Sequence, residues 1–273
     1  LVDSEGHVFT VLSSPPRDAA WPDIIRWAAA KFAWAQKQLS EIEPLPDHRR
    51  GPYFSVNTGL SFGQGQQRVG NLKNSARRQW ILDQLLNDPD IRRIANVSSG
   101  SLENYAPNVY QYYKETLDAI LESDSSLRRN FVDNVFAAAT FNLGPQAVTY
   151  VHLDHLNLAF GLCAVTALGD YDYKKGGHLV LWDAKLIIEF PPGTTILLPS
   201  AILRHSNVAI RPGETRYSLT QYSAAGLFRW VKCGFRSQKS AQAAGYDMRK
   251  DYEEWKDGYQ MYSKVSDLRP DCA

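Results

Sequence analysis

The chain has 273 residues, 44% of them hydrophobic and 12% aromatic, enough to bury a substantial core and too apolar for a disordered tail. Its 30 Lys and Arg against 29 Asp and Glu leave a net charge of +1, so no overall basic field advertises nucleic acid, although a local basic face fits inside a balanced total. Cys163, Cys233 and Cys272 are an odd count without CxxC spacing, which argues against structural zinc and a disulfide framework and fits a reducing compartment. No stretch approaches the ~20 apolar residues of a membrane span and no signal peptide opens the chain, so a soluble, intracellular protein is expected.

Residues 1–20 are polar and Pro-containing, a loosely attached arm or an edge strand. Trp21-Pro22-Asp23 opens a helix with proline in its first turn, where the missing N–H costs nothing. Ile25, Ala28, Phe32, Ala35 and Leu39 recur at helical spacing as an apolar stripe, and the helix ends before Pro44. Trp21, Trp27 and Trp34 can be read as core or as platforms for stacking bases; the Ile and Ala beside them favour core.

Residues 47–79 are the least regular. Gly63-x-Gly65 lacks the Gly-Lys-Ser/Thr that a phosphate loop needs. The glycines predict a mobile loop leading to a helix N-terminus near Ser75, with Arg68, Lys73, Arg77 and Arg78 along it. Such cations either grip a DNA backbone through phosphate or form an ordinary solvated face. Trp80 to Leu86 predicts one helix, Ile91 to Ala95 a short second, and about 107–122 a longer third. From Phe131 the texture changes to β-branched and aromatic runs separated by Gly144-Pro145, Gly169-Asp170, Gly176-Gly177, Pro191-Pro192-Gly193 and Pro212-Gly213. The expected fold is α+β. A helical and loop extension over residues 1–130 packs on a double-stranded β-helix (jelly-roll, cupin-like) core over 131–273, with a C-terminal helix at Tyr246 to Tyr262, all as one integrated catalytic domain.

Within that core, Tyr150-Val-His-Leu-Asp-His-Leu-Asn157 carries the chemistry. In an extended strand His152 and Asp154 project from one side, ~7 Å apart, while His155 points the other way. His205 is the best third ligand, because two histidines and one carboxylate leave open the positions that non-haem Fe(II) oxygenases use. His7, His48 and His178 are read as structural. Arg211-Pro212-Gly213-Glu214 reads as a type II turn between a strand over 201–210 and a returning strand, Thr215 to Tyr222. Pairing 205 with 220 and 209 with 216 puts Arg216, Ser218 and Thr220 on the face of His205, with Arg216 ~13 Å along the sheet. A five-carbon dicarboxylate such as 2-oxoglutarate spans that gap, chelating the metal at one end and meeting Arg216 and Ser218 at the other.

These residues resemble a known family. His152-x-Asp154, Gly176-Gly177-x-Leu179 and His205 with Arg216-x-Ser218 resemble the Fe(II)/2-oxoglutarate dioxygenases. Asn157-Leu-Ala-Phe-Gly161, Gly177-His-Leu-Val-Leu-Trp-Asp183, Phe190-Pro-Pro-Gly193 and Ser218-Leu-Thr-Gln-Tyr222 look like the Tet-like dioxygenases of mushroom-forming fungi, in the TET/JBP branch. The resemblance runs from about Gly59 through Gly234, most specifically over 131–234. It implies Fe(II), 2-oxoglutarate and O2 as cofactors and a nuclear enzyme that oxidises methylated DNA bases flipped out of the duplex. The expected reaction is 5-methylcytosine to 5-hydroxymethylcytosine and further to formyl- and carboxylcytosine. N6-methyladenine demethylation, hydroxylation of a protein or small molecule, and a non-catalytic binding module remain alternatives. In TET enzymes an Asn three residues past the Asp faces the base, which implies that role for Asn157; a turn-capping Asn is the other reading. The family usually has an Arg for 2-oxoglutarate upstream of His-x-Asp, whereas Asn142 to Tyr150 contains no Arg or Lys.

Overall fold

The computed structural model describes residues 1–247 and 257–268. In chain order it forms β1 (Val11–Ser13), α1 (Trp21–Ser40), β2 (Phe54–Ser61), β3 (Gly70–Asn71), α2 (Ala76–Leu86), α3 (Pro89–Tyr105) and α4 (Pro107–Ser123). Then follow β4 (Ala138–Leu143), β5 (Cys163–Asp170), β6 (Leu179–Leu181), β7 (Leu186–Ile188), β8 (Thr195–Leu198), β9 (His205–Asn207), β10 (Thr215–Tyr222), α5 (Ala225–Lys232) and α6 (Gln238–Ala243). Two antiparallel sheets face each other, one ordered β1-β8-β5-β10-β4-β2-β3 and the other β7-β6-β9. This is the jelly-roll core with its helical layer.

Period-two alternation explains both faces of the large sheet. Val56, Phe141, Leu168, Tyr217 and Leu219 point outward into one apolar cluster with Ile25, Ala28, Phe32, Ala35 and Leu39 of α1, together with residues of α2 and α3. The stripe read from the sequence is therefore core. Trp21 is buried in it and donates from Nε1 to Gly193 O at 3.2 Å, whereas Trp27 is 60% exposed. The alternate residues, Cys163, Ala167, Ile196 and Leu198, point inward and meet Leu179 and Leu181 of the small sheet. Arg216, Ser218 and Thr220 share that inward side, opposite the Tyr217 and Leu219 side.

Three expectations change. The helix expected only at Ile91 to Ala95 is α3, of 17 residues. Asp88 caps it by accepting from the backbone N–H groups of Asp90 (3.1 Å) and Ile91 (3.2 Å), with Pro89 in the first turn. Its Ser98, Ser99 and Ser101 conceal a buried face: Ser98 Oγ donates to Ile94 O at 3.1 Å and meets Thr166 Oγ1 of β5 at 3.1 Å.

The strand expected over 201–210 shortens to β9, because the chain turns at 200–203. The third change concerns pairing. β9 and β10 are not hydrogen-bonded neighbours: His205 pairs with Leu181 of β6, while Arg216 pairs with Gly169 of β5. The turn forms as read, with Gly213 at φ +86° and Glu214 N donating to Arg211 O at 3.2 Å, but it carries the chain from the small sheet to the large one. The backbone satisfies its hydrogen bonds better in two sheets than in one hairpin, because β10 has a partner strand on each side.

Most of the expected helix at Tyr246 to Tyr262 lies outside the described residues, as does Cys272; α5, α6 and a short 3-10 turn at Val265–Asp267 flank that stretch. Among the described residues no helix is long and apolar enough to cross a membrane.

Candidate metal centre and its cavity

The segment from Pro145 to His152 bridges the two sheets. It starts against β10, where Arg216 N donates to Pro145 O (2.7 Å) and Ala147 N to Arg216 O (2.9 Å). It ends against β9, where His152 and His205 exchange backbone hydrogen bonds of 3.1 Å in both directions. Asp154 N then donates to Ser200 O at 2.9 Å, holding the ligand segment, which forms a single bridge at His152 rather than the extended strand expected, to the turn before β9.

This bridge brings together the three residues singled out by spacing. One ligand atom from each of His152, Asp154 and His205 lies within 4.8 Å of the others. His152 Nε2 is 3.9 Å from Asp154 Oδ1, and His205 Nε2 is 4.0 Å from Asp154 Oδ2. His152 Nδ1 lies 2.7 Å from Tyr150 O and His205 Nδ1 2.9 Å from Leu203 O. Carbonyls only accept, so each Nδ1 carries the proton and each Nε2 presents a lone pair to the shared space. Burial pushes the His152 imidazolium down to about 4, with His205 as the next cause, and burial lowers His205 too. Both rings are therefore neutral at pH 7, the form that binds a metal. The donor set fits a first-row divalent ion held on one side.

Arg50 donates from Nη2 to Asp154 Oδ1. It arrives from the irregular loop 104 residues upstream, anchored where Tyr150 N donates to Arg50 O at 2.9 Å. Sequence reasoning missed it, although Asp47-His-Arg-Arg-Gly-Pro52 was its signal: a cationic pair held before a turn. Tyr53 lies near Arg50, Arg216 and Asp154; burial raises its phenol to about 12 against the pull of both guanidinium groups.

A cavity of about 160 Å³ opens beside Asp154, lined by Arg49, Arg50, Asn57, Thr140, Asn142, His155, Leu156, Asn157, Thr220 and Tyr222. Asn157 donates from Nδ2 to Ser200 Oγ at 3.0 Å, and its backbone N–H donates to Asp154 O at 2.8 Å. Its side chain thus ties this turn to the one at Ser200, at the wall of the cavity.

Arg216 is 1% exposed, and its Nη1 donates to Ala147 O. Among the described residues its buried Nε and Nη2 make no hydrogen bond of good geometry, although the buried Tyr171 hydroxyl stands beside the guanidinium, which offsets part of the rise that burial gives its phenol. Such a guanidinium edge between two sheets is costly and fits an incoming carboxylate. Ser218 Oγ accepts from Asn142 Nδ2 at 3.0 Å. Arg216 and His205 face each other across the sandwich from opposite sheets rather than along one hairpin.

The basic set lies apart from this cavity. Arg78 forks onto Glu43, with Nε–Oε1 at 3.1 Å and Nη2–Oε2 at 2.6 Å. Arg77 donates to Gln38 at 2.5 Å and lies 4.4 Å over the Trp80 ring. Arg68 and Lys73 line a separate depression beside Asp124. Ser75 caps α2, as expected, by accepting from Arg78 N.

No family model matches the sequence, and no curated protein matches it. Among solved structures, NgTET1 in complex with 5mC DNA superposes with a TM-score of 0.57 at 16% identity, covering 82% of this chain and 75% of that one. The two share a fold. An oxidoreductase of the 2OG-Fe(II) oxygenase family from Burkholderia pseudomallei is 18% identical over 82% of this chain and 88% of that one, with a TM-score of 0.39. A Pseudomonas putida prolyl-4-hydroxylase is 15% identical over 81% of this chain and 95% of that one, with a TM-score of 0.41.

Proposed function

We propose that this chain is an Fe(II)/2-oxoglutarate-dependent dioxygenase that oxidises the methyl group of methylated bases in DNA, 5-methylcytosine first. The observation that supports the chemistry most is the pairing of a metal-ligand set with a buried arginine. Three metal-ligand atoms converge within 4.8 Å, and the other sheet holds a buried arginine with two donors that make no hydrogen bond of good geometry among the described residues. Such groups persist where a ligand completes them.

His152, Asp154 and His205 hold the metal, their Nδ1 hydrogen bonds fixing the imidazole planes. Arg216 takes the distal carboxylate of the cosubstrate in its planar fork, with Ser218 beside it. Fe(II), 2-oxoglutarate and O2, when bound, would supply the power to oxidise a methyl C–H while the 2-oxo acid is decarboxylated. Arg50 holds the Asp154 carboxylate in place, and Asn157 offers its amide to the edge of the substrate base. Buried walls around Arg216 keep water from the cosubstrate end.

DNA as the substrate is supported by the sequence resemblance over 131–234 and by the fold shared with NgTET1. Arg68, Lys73, Arg77 and Arg78 are the proposed backbone contacts, and a nuclear location goes with this reading. The deciding experiment incubates the protein with Fe(II), 2-oxoglutarate and duplexes carrying 5-methylcytosine or N6-methyladenine, and identifies the bases by mass spectrometry. Oxidised 5-methylcytosine is expected. Loss of N6-methyl groups instead would assign the demethylase chemistry. Oxidation of neither base, with 2-oxoglutarate turnover coupled to a peptide or metabolite, would overturn the DNA reading and keep the hydroxylase core.

A further inference from the structure

Asn207 closes β9, two residues after His205, so both side chains leave the strand on one face. That face is the inner one. The intervening Ser206 Oγ accepts from Nε1 of the half-exposed Trp182 at 3.0 Å, and the strand partners of His205 and Asn207, Leu181 and Leu179, belong to the interior cluster. The Asn207 amide is held on one side only: Oδ1 accepts from Thr149 Oγ1 at 3.0 Å, while its backbone N–H donates to Thr149 O at 3.1 Å. Its Nδ2 is buried and has no partner. Two residues back along the same bridging segment, Ala147 O receives Nη1 of Arg216, whose buried Nε and Nη2, with the Tyr171 hydroxyl nearby, likewise make no hydrogen bond of good geometry among the described residues. Ala147 and Thr149, two residues apart on one segment, thus hold an arginine of the large sheet and an asparagine of the small sheet, each with donors that make no hydrogen bond of good geometry among the described residues. Buried donors left without a partner are costly, so an amide and a guanidinium held two residues apart on one segment fit an acceptor with several lone pairs. A carboxylate has about four lone-pair positions, and a guanidinium fork fills only two.

We infer that Asn207 is a positioning residue for the cosubstrate, its Nδ2 donating to the same distal carboxylate that Arg216 forks. This rests on the reading of the site as one for 2-oxoglutarate. It gives the small sheet a role beyond carrying His205: the carboxylate ties the two sheets together through one donor from β9 and two from β10. It also makes the site selective for 2-oxo acids with a second carboxylate.

The test is calorimetric binding with Mn(II) in place of Fe(II), so that no turnover occurs, using 2-oxoglutarate and, separately, pyruvate, which shares the 2-oxo acid head and lacks the distal carboxylate. Asn207→Leu keeps the volume and removes the donor. Its 2-oxoglutarate affinity should fall about tenfold with pyruvate affinity unchanged. Asn207→Asp, which sets a carboxylate against the incoming one, should fall further. Thr149→Val serves as a control that loosens the amide without removing Nδ2, and it should lose less than Asn207→Leu. Equal losses for 2-oxoglutarate and pyruvate would reduce Asn207 to a brace for the segment around Thr149 and overturn the inference. So would 2-oxoglutarate affinity unchanged in both Asn207 variants. Wild-type protein that binds Mn(II) but neither acid would instead remove the cosubstrate reading itself.

Discussion

At the residue scale, the candidate centre depends on which atoms are already occupied. His152 and His205 each spend Nδ1 on a backbone carbonyl, leaving Nε2 as the only ring atom able to ligate. Asp154 spends one oxygen on Arg50. Arg50→Ala should therefore lower Mn(II) or Fe(II) affinity by about 10–100-fold, the usual cost of losing an outer partner of a ligand, while His205→Ala should abolish tight binding. Metal titration followed by intrinsic fluorescence distinguishes the two; equal affinity in Arg50→Ala and wild type would make the ion pair incidental. Arg216→Lys keeps the charge and loses the planar fork in a fully buried setting. The apparent affinity for 2-oxoglutarate should drop by at least about tenfold with metal affinity unchanged. An unchanged 2-oxoglutarate KM would show that the cosubstrate end lies elsewhere.

At the scale of elements, the turn Arg211 to Glu214 carries the chain from the small sheet to the large one, where Arg216 pairs with Gly169. The Arg211 guanidinium beside Glu214 holds its carboxyl down to about 2, helped by the backbone N–H of Asp172. A carboxylate depressed in the folded state stabilises the fold above its ordinary value near 4.5, and that contribution is lost as pH falls toward 2. The gap in Tm between wild type and Glu214→Gln should therefore be widest at neutral pH and narrow at about pH 3. A gap independent of pH would mean that the turn is held by its backbone alone. At Gly169, φ is +121° and a Cβ would meet Thr215 O at 2.2 Å, so β5 and β10 approach closely where Arg216 crosses. Helix α1 backs this arrangement: Phe32 is fully buried, with ring centroids 5.5 Å from Phe141 and 6.1 Å from Tyr217.

At the scale of the whole molecule, a net charge of +1 means that DNA affinity, if it is to exist, must come from local cations. Arg68 and Lys73 border one depression, and Arg77 stacks on Trp80. Replacing Arg68, Lys73 and Arg77 together by Gln should weaken binding to methylated and unmethylated duplexes alike and flatten its dependence on salt. Arg78→Gln separates two roles for one residue, because it also breaks the Glu43 pair. That partly exposed pair contributes at most about 1 kcal/mol to stability. Filter binding across a salt series measures the slope; a triple variant with the wild-type slope would place the DNA path on another face.

The sequence by itself determined what local rules can reach. Period-two alternation put His152 with Asp154 and Arg216 with Ser218, and period 3.6 found the α1 stripe. Turn chemistry placed the bend at Pro212-Gly213, since only glycine adopts φ +86° there without strain. What tertiary structure decided were partners distant along the chain. A turn sequence fixes the bend but not which sheet each arm joins, so His205 and Arg216 were read along one hairpin and stand instead on facing sheets. The buried side of α3 was hidden because its serines find hydroxyl and carbonyl partners only once β5 lies beside them. Arg50 was hidden for the same reason. A guanidinium 104 residues from its carboxylate carries no periodic signal, and its place is fixed by the packing that burial of the core imposes on the loop.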